Sequence, residues 1–274
     1  MANEVAEVKQ KTIGQYLGGE TVHKSVVAAV GEKDSQKFIS SVISAVQTNP
    51  DLAKCTNESL LSAALLGHSL GLPQSPQIGM FYFVPYKNKS GVTEAQFQIS
   101  YRGMLQLAMR SGQYKKIHVT DIRQGELDKY NPITDEYEFN PETDIAKRET
   151  LPVIGYYAYF ELVNGFKKAL YWSKEKMDAH AKQYSVSYRK GWNTSLWITD
   201  FDKMAYKTML RQLISKYGAM SVEMQNAYAS DMAVLDENGN PNYVDNVADD
   251  PTPAVDVMET VDVESVEVVD GEVD

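Results

Sequence analysis

The chain has 274 residues, 43% of them hydrophobic, and a formal net charge of −10. That length carries one substantial core or two small ones, and no uninterrupted apolar run approaches the roughly 20 residues of a bilayer span, so a soluble globular body is expected. The single Cys55 excludes an internal disulfide and fits a reducing cytoplasm, and the N-terminal residues show no apolar stretch behind a basic segment, so neither secretion nor organelle import is expected.

The negative charge is segregated. Residues 231–274 hold 14 of the 37 acidic side chains and no Lys or Arg, which leaves 23 acids against 27 basic groups in residues 1–230, a net of +4. Between Lys167 and Lys216 there are 11 basic residues against four acids. The acidic end, rich in Val and Pro and nearly free of aromatics, has little to bury and is expected to be disordered. It serves either as a solubilising tail or as one that recruits a partner or competes with an anionic ligand for the basic surface. Residues 1–34 are expected to form a flexible arm before a core of residues 35–230.

In chain order, "SQKFISSVISAVQ" spaces Phe38, Val42, Ile43 and Val46 as one helical face. "NESLLSAALLGHSLGLP" predicts a second helix with Asn57 as N-cap and a stop at Gly71 before Pro73. "IGMFYFVPY" and "TEAQFQISY" are β-rich runs around "KNKSG", a hairpin with a basic tip. Its aromatic residues are either a wedge for a bound strand or, the reading preferred for Phe81, Phe83 and Phe97, a core. "YRGMLQLAMR" predicts a helix with Leu105, Ala108 and Met109 on one face and Arg102 and Arg110 on another. An acidic, turn-rich strand and loop excursion follows over residues 117–140. "VIGYYAYFELVNGFKKALYW" is a hairpin turning at "NG", and "SKEKMDAHAKQYS" a helix capped by Ser173. "VSYRKGWNTSLW" is a polar, aromatic loop whose Trp192 and Trp197 either stack on a base or, as preferred, pack beneath the last helix. "TDFDKMAYKTMLRQLISKYG" predicts a helix capped through Thr199 and Asp202. In it Lys203, Lys207 and Arg211 recur every four residues on one stripe, with Met204, Leu210, Leu213 and Ile214 opposite. Helices and strands mix without regular βαβ alternation, which predicts an α+β fold of small antiparallel sheets and hairpins packed with helices.

Several chemistries lack their residues. No GxxxxGK[ST] loop cradles a nucleotide phosphate, no HExxH pair marks a metal, and no GxSxG elbow marks a nucleophile. His23, His68, His118 and His180 stand alone and are expected on the surface or packed. Asp121, Glu126 and Asp128 are expected in a solvated loop, with a divalent ion as the less favoured reading. What remains is cationic stretches interleaved with aromatics, the combination that binds single-stranded nucleic acid through phosphate charge and base stacking. The Lys203 stripe alone fits a solvated helix face equally well.

At these residues the chain resembles a known family. "LGLPQSPQIGMFYFVPY", "QISYRGMLQLAMRSGQYKKI" and "DFDKMAYKTMLRQLISKYGAMSVEMQ" are similar to the phage RecT family of single-strand annealing recombinases, in consistent order over about residues 35–230. Members carry two consecutive lysines where this chain has Tyr206 and Lys207. The resemblance implies ATP-independent coating of single-stranded DNA and annealing through a duplex intermediate, in homo-oligomeric rings or helical filaments. It also implies a fold distantly like eukaryotic Rad52, a partner 5′-to-3′ exonuclease, and contact between the C-terminal region and the host single-strand-binding protein. No cofactor is expected, with magnesium at most a modulator.

An annealing protein leaves base edges free and therefore grips phosphates and sugars. The expected contacts are Arg102, Arg110, Lys115 and Lys116; Arg189 and Lys190; Lys203, Lys207, Arg211 and Lys216; and Lys87 and Lys89 at the hairpin tip. The alternatives are a metal-dependent nuclease using acids of residues 121–144 and a protein-only scaffold in which basic stripes meet acidic tails of neighbouring subunits.

Overall fold

Thr12 opens the first helix of the computed structural model, which describes residues 11–242 except 76, 135, 194 and 237. Its hydroxyl accepts from Gln15 N while the Gln15 side chain accepts from Thr12 N, a capping box for α1 (Ile13–Leu17). Next come α2 (Glu20–Val30) and α3 (Glu32–Thr48), and these helices bury Leu17, Val26, Phe38 and Val42 in a first core. The expectation of a flexible arm over residues 1–34 is therefore corrected for residues 13–34: the apolar faces of α1 and α2 have a core to join. Residues 1–10 lie outside the described residues.

After a short 3-10 turn at Pro50–Lys54, α4 (Asn57–Ser69) is capped by Thr56, whose side chain accepts from Ser59 N. Asn57, the expected cap, is instead the buried first residue of the helix and donates Nδ2 to Lys11 O. The hairpin of β1 (Phe81–Lys87) and β2 (Thr93–Ile99) pairs Phe81 with Ile99 and Phe83 with Phe97. Those three phenylalanines lie in the first core, as the core reading of the hairpin required, each burial contributing about 1.5–3 kcal/mol. Ser100 caps α5 (Tyr101–Arg110), whose buried face is Gly103, Met104, Leu107 and Ala108. Met109, expected on that face, is exposed.

β3 (Tyr114–Arg123) leads into the small hairpin of β4 (Leu127–Asn131) and β5 (Glu136–Phe139), then α6 (Ile145–Thr150). β6 (Val153–Leu162) is the middle strand of a three-stranded antiparallel sheet, β3-β6-β7, completed by β7 (Lys167–Ser173). The β6–β7 turn is the predicted Asn-Gly turn, Gly165 supplying φ 89° and Asn164 Oδ1 accepting from Phe166 N. Alternation along β6 sends Tyr156, Ala158 and Phe160 into a second core. That core is closed by α7 (Lys174–Tyr184), capped by Ser173 as expected.

The short helices α8 (Val186–Arg189) and α9 (Leu196–Thr199) precede α10 (Phe201–Tyr217). The expected Thr199–Asp202 cap is absent: Thr199 belongs to α9, Asp200 occupies the cap position, and Asp202 instead accepts from Tyr156 Oη at 2.6 Å. Leu210 and Ile214 of α10 enter the first core while Ala205, Met209 and Leu213 enter the second, so this helix joins the two. α11 (Val222–Ser230) follows, then a minimal ladder of β8 (Val234–Leu235) and β9 (Pro241–Asn242). Asp231, Ala233, Val234 and Leu235 are buried, and Ala233 pairs with Phe97 on the free edge of β2. The fold thus extends past residue 230, where the disordered tail was expected to begin; residues 243–274 of that expectation lie outside the described residues. The described parts form the predicted α+β architecture of small antiparallel sheets and helices.

Gly103 is fixed by a close approach. A Cβ there would stand 2.2 Å from the Met80 carbonyl oxygen and 2.7 Å from Ile99 Cγ1. Gly103→Ala is expected to cost about 1–3 kcal/mol by overpacking and to lower Tm by several degrees in thermal unfolding.

Candidate nucleic-acid interface

The basic residues divide into those used by the fold and those left at the surface. Lys207 belongs to the first group. Its side chain is 9% exposed and its ammonium lies 2.8 Å from Asp231 Oδ1, while Arg211 Nη1 lies 2.9 Å from Asp231 Oδ2 and Nη2 donates to Tyr228 O. Asp231 also accepts from Ile99 N at 3.1 Å. Burial pulls the Lys207 ammonium below the ordinary lysine range, against the opposing pull of Asp231. The stripe is thus split: Lys207 and Arg211 face Asp231, while Lys203 lies in solvent beside Asp200. A lysine already desolvated against an internal carboxylate has no free charge to offer a strand.

Two other predicted contacts close helices. Arg110 Nη1 donates to Leu70 O at 2.7 Å and Gly71 O at 3.3 Å, at the C-cap of α4 and the residue after it, and Arg189 Nη1 reaches Lys182 O and Gln183 O at the end of α7. Both satisfy carbonyls that helix ends leave unpaired.

The remaining cations face solvent. Lys87 and Lys89 flank the β1–β2 turn, and Lys216 ends α10. Lys116 stands over the Tyr159 ring at 5.7 Å and Lys190 over Trp192 at 5.4 Å. Lys115 pairs with Glu161 at 2.6 Å, and Lys203 pairs with Asp200. Arg102 leans on Tyr101, 5.9 Å from the ring centroid, with Nη1 3.5 Å from Ile78 O. The sequence reading missed two further cation–ring pairs, Lys168 over Tyr217 and Lys176 over Trp172. Only the density of Lys and aromatic residues after Lys167 signalled them. Trp197 packs against Phe201 as preferred, but Trp192 is 52% exposed, so its expected place beneath the last helix is corrected.

The acids behave differently from the expected solvated loop. Asp121 and Glu126 are buried. Asp121 accepts from Tyr206 Oη at 2.8 Å and from Arg123 Nε, and Arg148 clasps Glu126 through Nε at 2.6 Å and Nη2 at 2.9 Å. Burial pushes the Asp121 carboxyl up, but the hydrogen bonds from Tyr206 and Arg123 outweigh it and hold it below the usual carboxylate range. These two carboxylates are committed to guanidinium and phenol donors. Asp128 alone of the three is exposed.

Exposed cations and aromatic rings on an α+β body are the two surface chemistries that hold a single-stranded nucleic acid, backbone charge and ring contact. The chain belongs to the RecT family, whose model matches residues 36–244. It is 41% identical over 216 residues to YqaK of Bacillus subtilis, covering 79% of this chain and 70% of that protein. It is 29% identical over 234 residues to Protein RecT of Escherichia coli, covering 82% of each. Membership supports DNA binding and single-strand annealing in recombination. Among the described residues no helix is long and apolar enough to cross a membrane.

Asp231→Asn strands Lys207 in the core and is expected to cost about 3–5 kcal/mol. Adding Lys207→Met is expected to restore part of that stability in urea unfolding, because no buried charge is then left unpaired. Tyr206→Phe removes a hydrogen bond to a carboxylate and is expected to cost about 1.5–3 kcal/mol at pH 7. With its folded pKa depressed, Asp121 contributes stability above the unfolded value of 3.8, and this is lost as pH falls through the folded value. The gap between Tyr206→Phe and wild type should therefore narrow as pH drops below 3.8, checked by unfolding curves along a pH series.

Proposed function

We propose that the protein binds single-stranded DNA along its sugar-phosphate backbone and anneals it to a complementary strand without ATP. The observation that carries this reading is the set of exposed cations seated on rings, Lys116 on Tyr159, Lys176 on Trp172 and Lys190 on Trp192, on a RecT-family body. Phosphate charge gives affinity that ignores sequence, rings offer faces to bases, and the pairing edges stay free for the second strand. Of the predicted contacts, Lys87, Lys89, Arg102, Lys116, Lys190, Lys203 and Lys216 are the phosphate-facing set, and Lys115 joins them by exchanging Glu161 for a phosphate. Lys207 and Arg211 are held by Asp231, and the exposed Arg110 and Arg189 bond backbone carbonyls at helix ends.

In this reading the protein acts as a homo-oligomer, a ring or helical filament, that coats the exposed strand and retains the annealed duplex intermediate. The setting is phage recombination in a bacterial cytoplasm. A 5′-to-3′ exonuclease exposes the strand, and the C-terminal region meets the host single-strand-binding protein. No chemical step is catalysed and no cofactor is consumed, and magnesium is at most a modulator.

Complementary oligonucleotides mixed with the protein and no ATP are expected to form duplex faster than with heat-inactivated protein. Removing one phosphate-binding charge, by Lys87→Ala, Lys89→Ala or Lys190→Ala, should flatten the dependence of log K on log salt by about 0.7. An annealing rate equal to that of the inactivated control, or binding indifferent to ionic strength, overturns the reading.

A further inference from the structure

The three-stranded sheet uses one face for the fold. Tyr156, Ala158 and Phe160 of β6 enter the second core, with Ile117 and Val119 of β3 packed against it. Alternation sends Tyr157 and Tyr159 of β6 and Ala169 and Tyr171 of β7 to the opposite face, and these four join neither core. His118, across from Tyr159 on β3, is exposed, and on the other side Tyr159 is paired with Ala169, whose single methyl leaves room beside the ring. The next row on this face is Lys116, Glu161 and Lys167. Glu161 pairs with Lys115 at 2.6 Å and stands 3.9 Å from Lys167, so one carboxylate meets the ammonium groups of Lys115, Lys116 and Lys167.

On the other side of the Tyr159 row, the hairpin of β4 and β5 meets Tyr157 and Tyr171. Tyr137 is stacked between Tyr130 and Phe139, with ring centroids 5.0 and 6.0 Å away and planes within 6°. This stack meets the sheet edge-on: Phe139 lies 4.9 Å and Tyr137 5.5 Å from Tyr157, and Tyr130 lies 5.5 Å from Tyr171. Arg148 of α6 donates to Glu126 and to the Asp121 carbonyl of β3, which ties both ends of the hairpin segment to the sheet. The outer face is therefore a shelf with a fixed aromatic wall, a floor of His118, Tyr159 and Ala169, and a cationic end.

We infer that this shelf is a nucleotide subsite: one base of the bound strand stacks on the Tyr159 ring while Lys115, Lys116 and Lys167 hold its phosphates. Rows on one face of a strand stand roughly 6.8 Å apart, so the ring and the cations are offset as a base is from its own phosphate. Lys116 now lies over the Tyr159 ring at 5.7 Å. A base that takes the ring face sends this ammonium to the phosphate, so neither the ring nor the charge is left without a partner. Excess positive charge at Glu161 favours a polyanion over an apolar occupant, and stacking uses the face of the base and leaves its pairing edge open. The inference rests on the strand-binding reading above and adds a base contact and its location to it.

The test compares oligo(dT) with an abasic oligonucleotide of equal length, which keeps the phosphates and lacks the bases. Tyr159→Leu, outside both cores, is expected to weaken oligo(dT) binding about 5- to 150-fold and to leave abasic binding unchanged. Tyr159→Trp should keep oligo(dT) affinity, because it keeps a stacking face, and its added fluorescence should be quenched by oligo(dT) and not by the abasic strand. Lys116→Ala and Lys167→Ala should each weaken both ligands and flatten the dependence of log K on log salt by about 0.7. Ultraviolet cross-linking of oligo(dT) to the full chain should place an adduct on the peptide containing Tyr159. If wild type binds and anneals while Tyr159→Leu affects neither ligand or both equally, and the tryptophan signal ignores oligo(dT), the subsite is wrong and strand binding stands. An equal loss on both ligands together with a changed oligomer mass would instead make this face a contact between copies of the chain, which also overturns the inference. If wild type retains neither oligonucleotide, the underlying reading fails first.

Discussion

The fold depends on one buried carboxylate. Asp231 receives Lys207 Nζ, Arg211 Nη1 and the Ile99 amide, so its two oxygens tie α10, the end of α11 and the free edge of β2 together. α10 is apolar toward both cores, and its third side would bury a bare ammonium without this partner. Such a pair is a weak source of net stability, since desolvating both ions offsets most of the attraction, but losing one partner is costly. Its effect is therefore positional. It fixes where the segment after α11 lies, and with it the short pairing of Ala233 to Phe97 that flanks the hairpin.

That interaction explains which features the sequence could reveal. Local signals were legible because their physics is local: the Asn164-Gly165 turn, the Ser173 cap and the basic tip of the first hairpin need only neighbouring residues. Periodicity also placed Lys203, Lys207 and Arg211 on one side of α10. It carried no information on what that side meets, because Asp231 is brought there by a turn after another helix. The same limit misread α5. Leu105, Ala108 and Met109 share a helical face, but the close approach at Gly103 turns the helix so that Met104 and Leu107 are buried beside Ala108 while Met109 is exposed. The cap expected at Thr199 failed for a related reason: Trp197 is drawn into the second core, which folds Leu196–Thr199 into a separate turn and leaves Asp202 to the Tyr156 hydroxyl.

The candidate site was legible in composition and only partly in position. The interleaving of cations with aromatics became actual ring contacts at Lys116, Lys176 and Lys190. Charge counting failed where charge is internal. Asp231 was assigned to the acidic end and Lys207 to the basic surface, although they neutralise each other in the interior.

The two kinds of cation divide the work along chemical lines. Arg110, Arg148, Arg189 and Arg211 each use more than one contact at carbonyls or carboxylates, where a rigid planar fork meets several fixed acceptors at once. Lysines dominate the exposed set, at positions 87, 89, 116, 190, 203 and 216. An ammonium is a compact, strongly hydrated point charge on a flexible stem and imposes little geometry on its partner. For a surface that must hold any sequence and then let two strands settle into a duplex, weak directional demand is an advantage, because each contact can be remade as the backbone changes shape. Arg102, exposed like Arg110 and Arg189, lies instead beside the Tyr101 ring, where a planar cation keeps a fixed orientation.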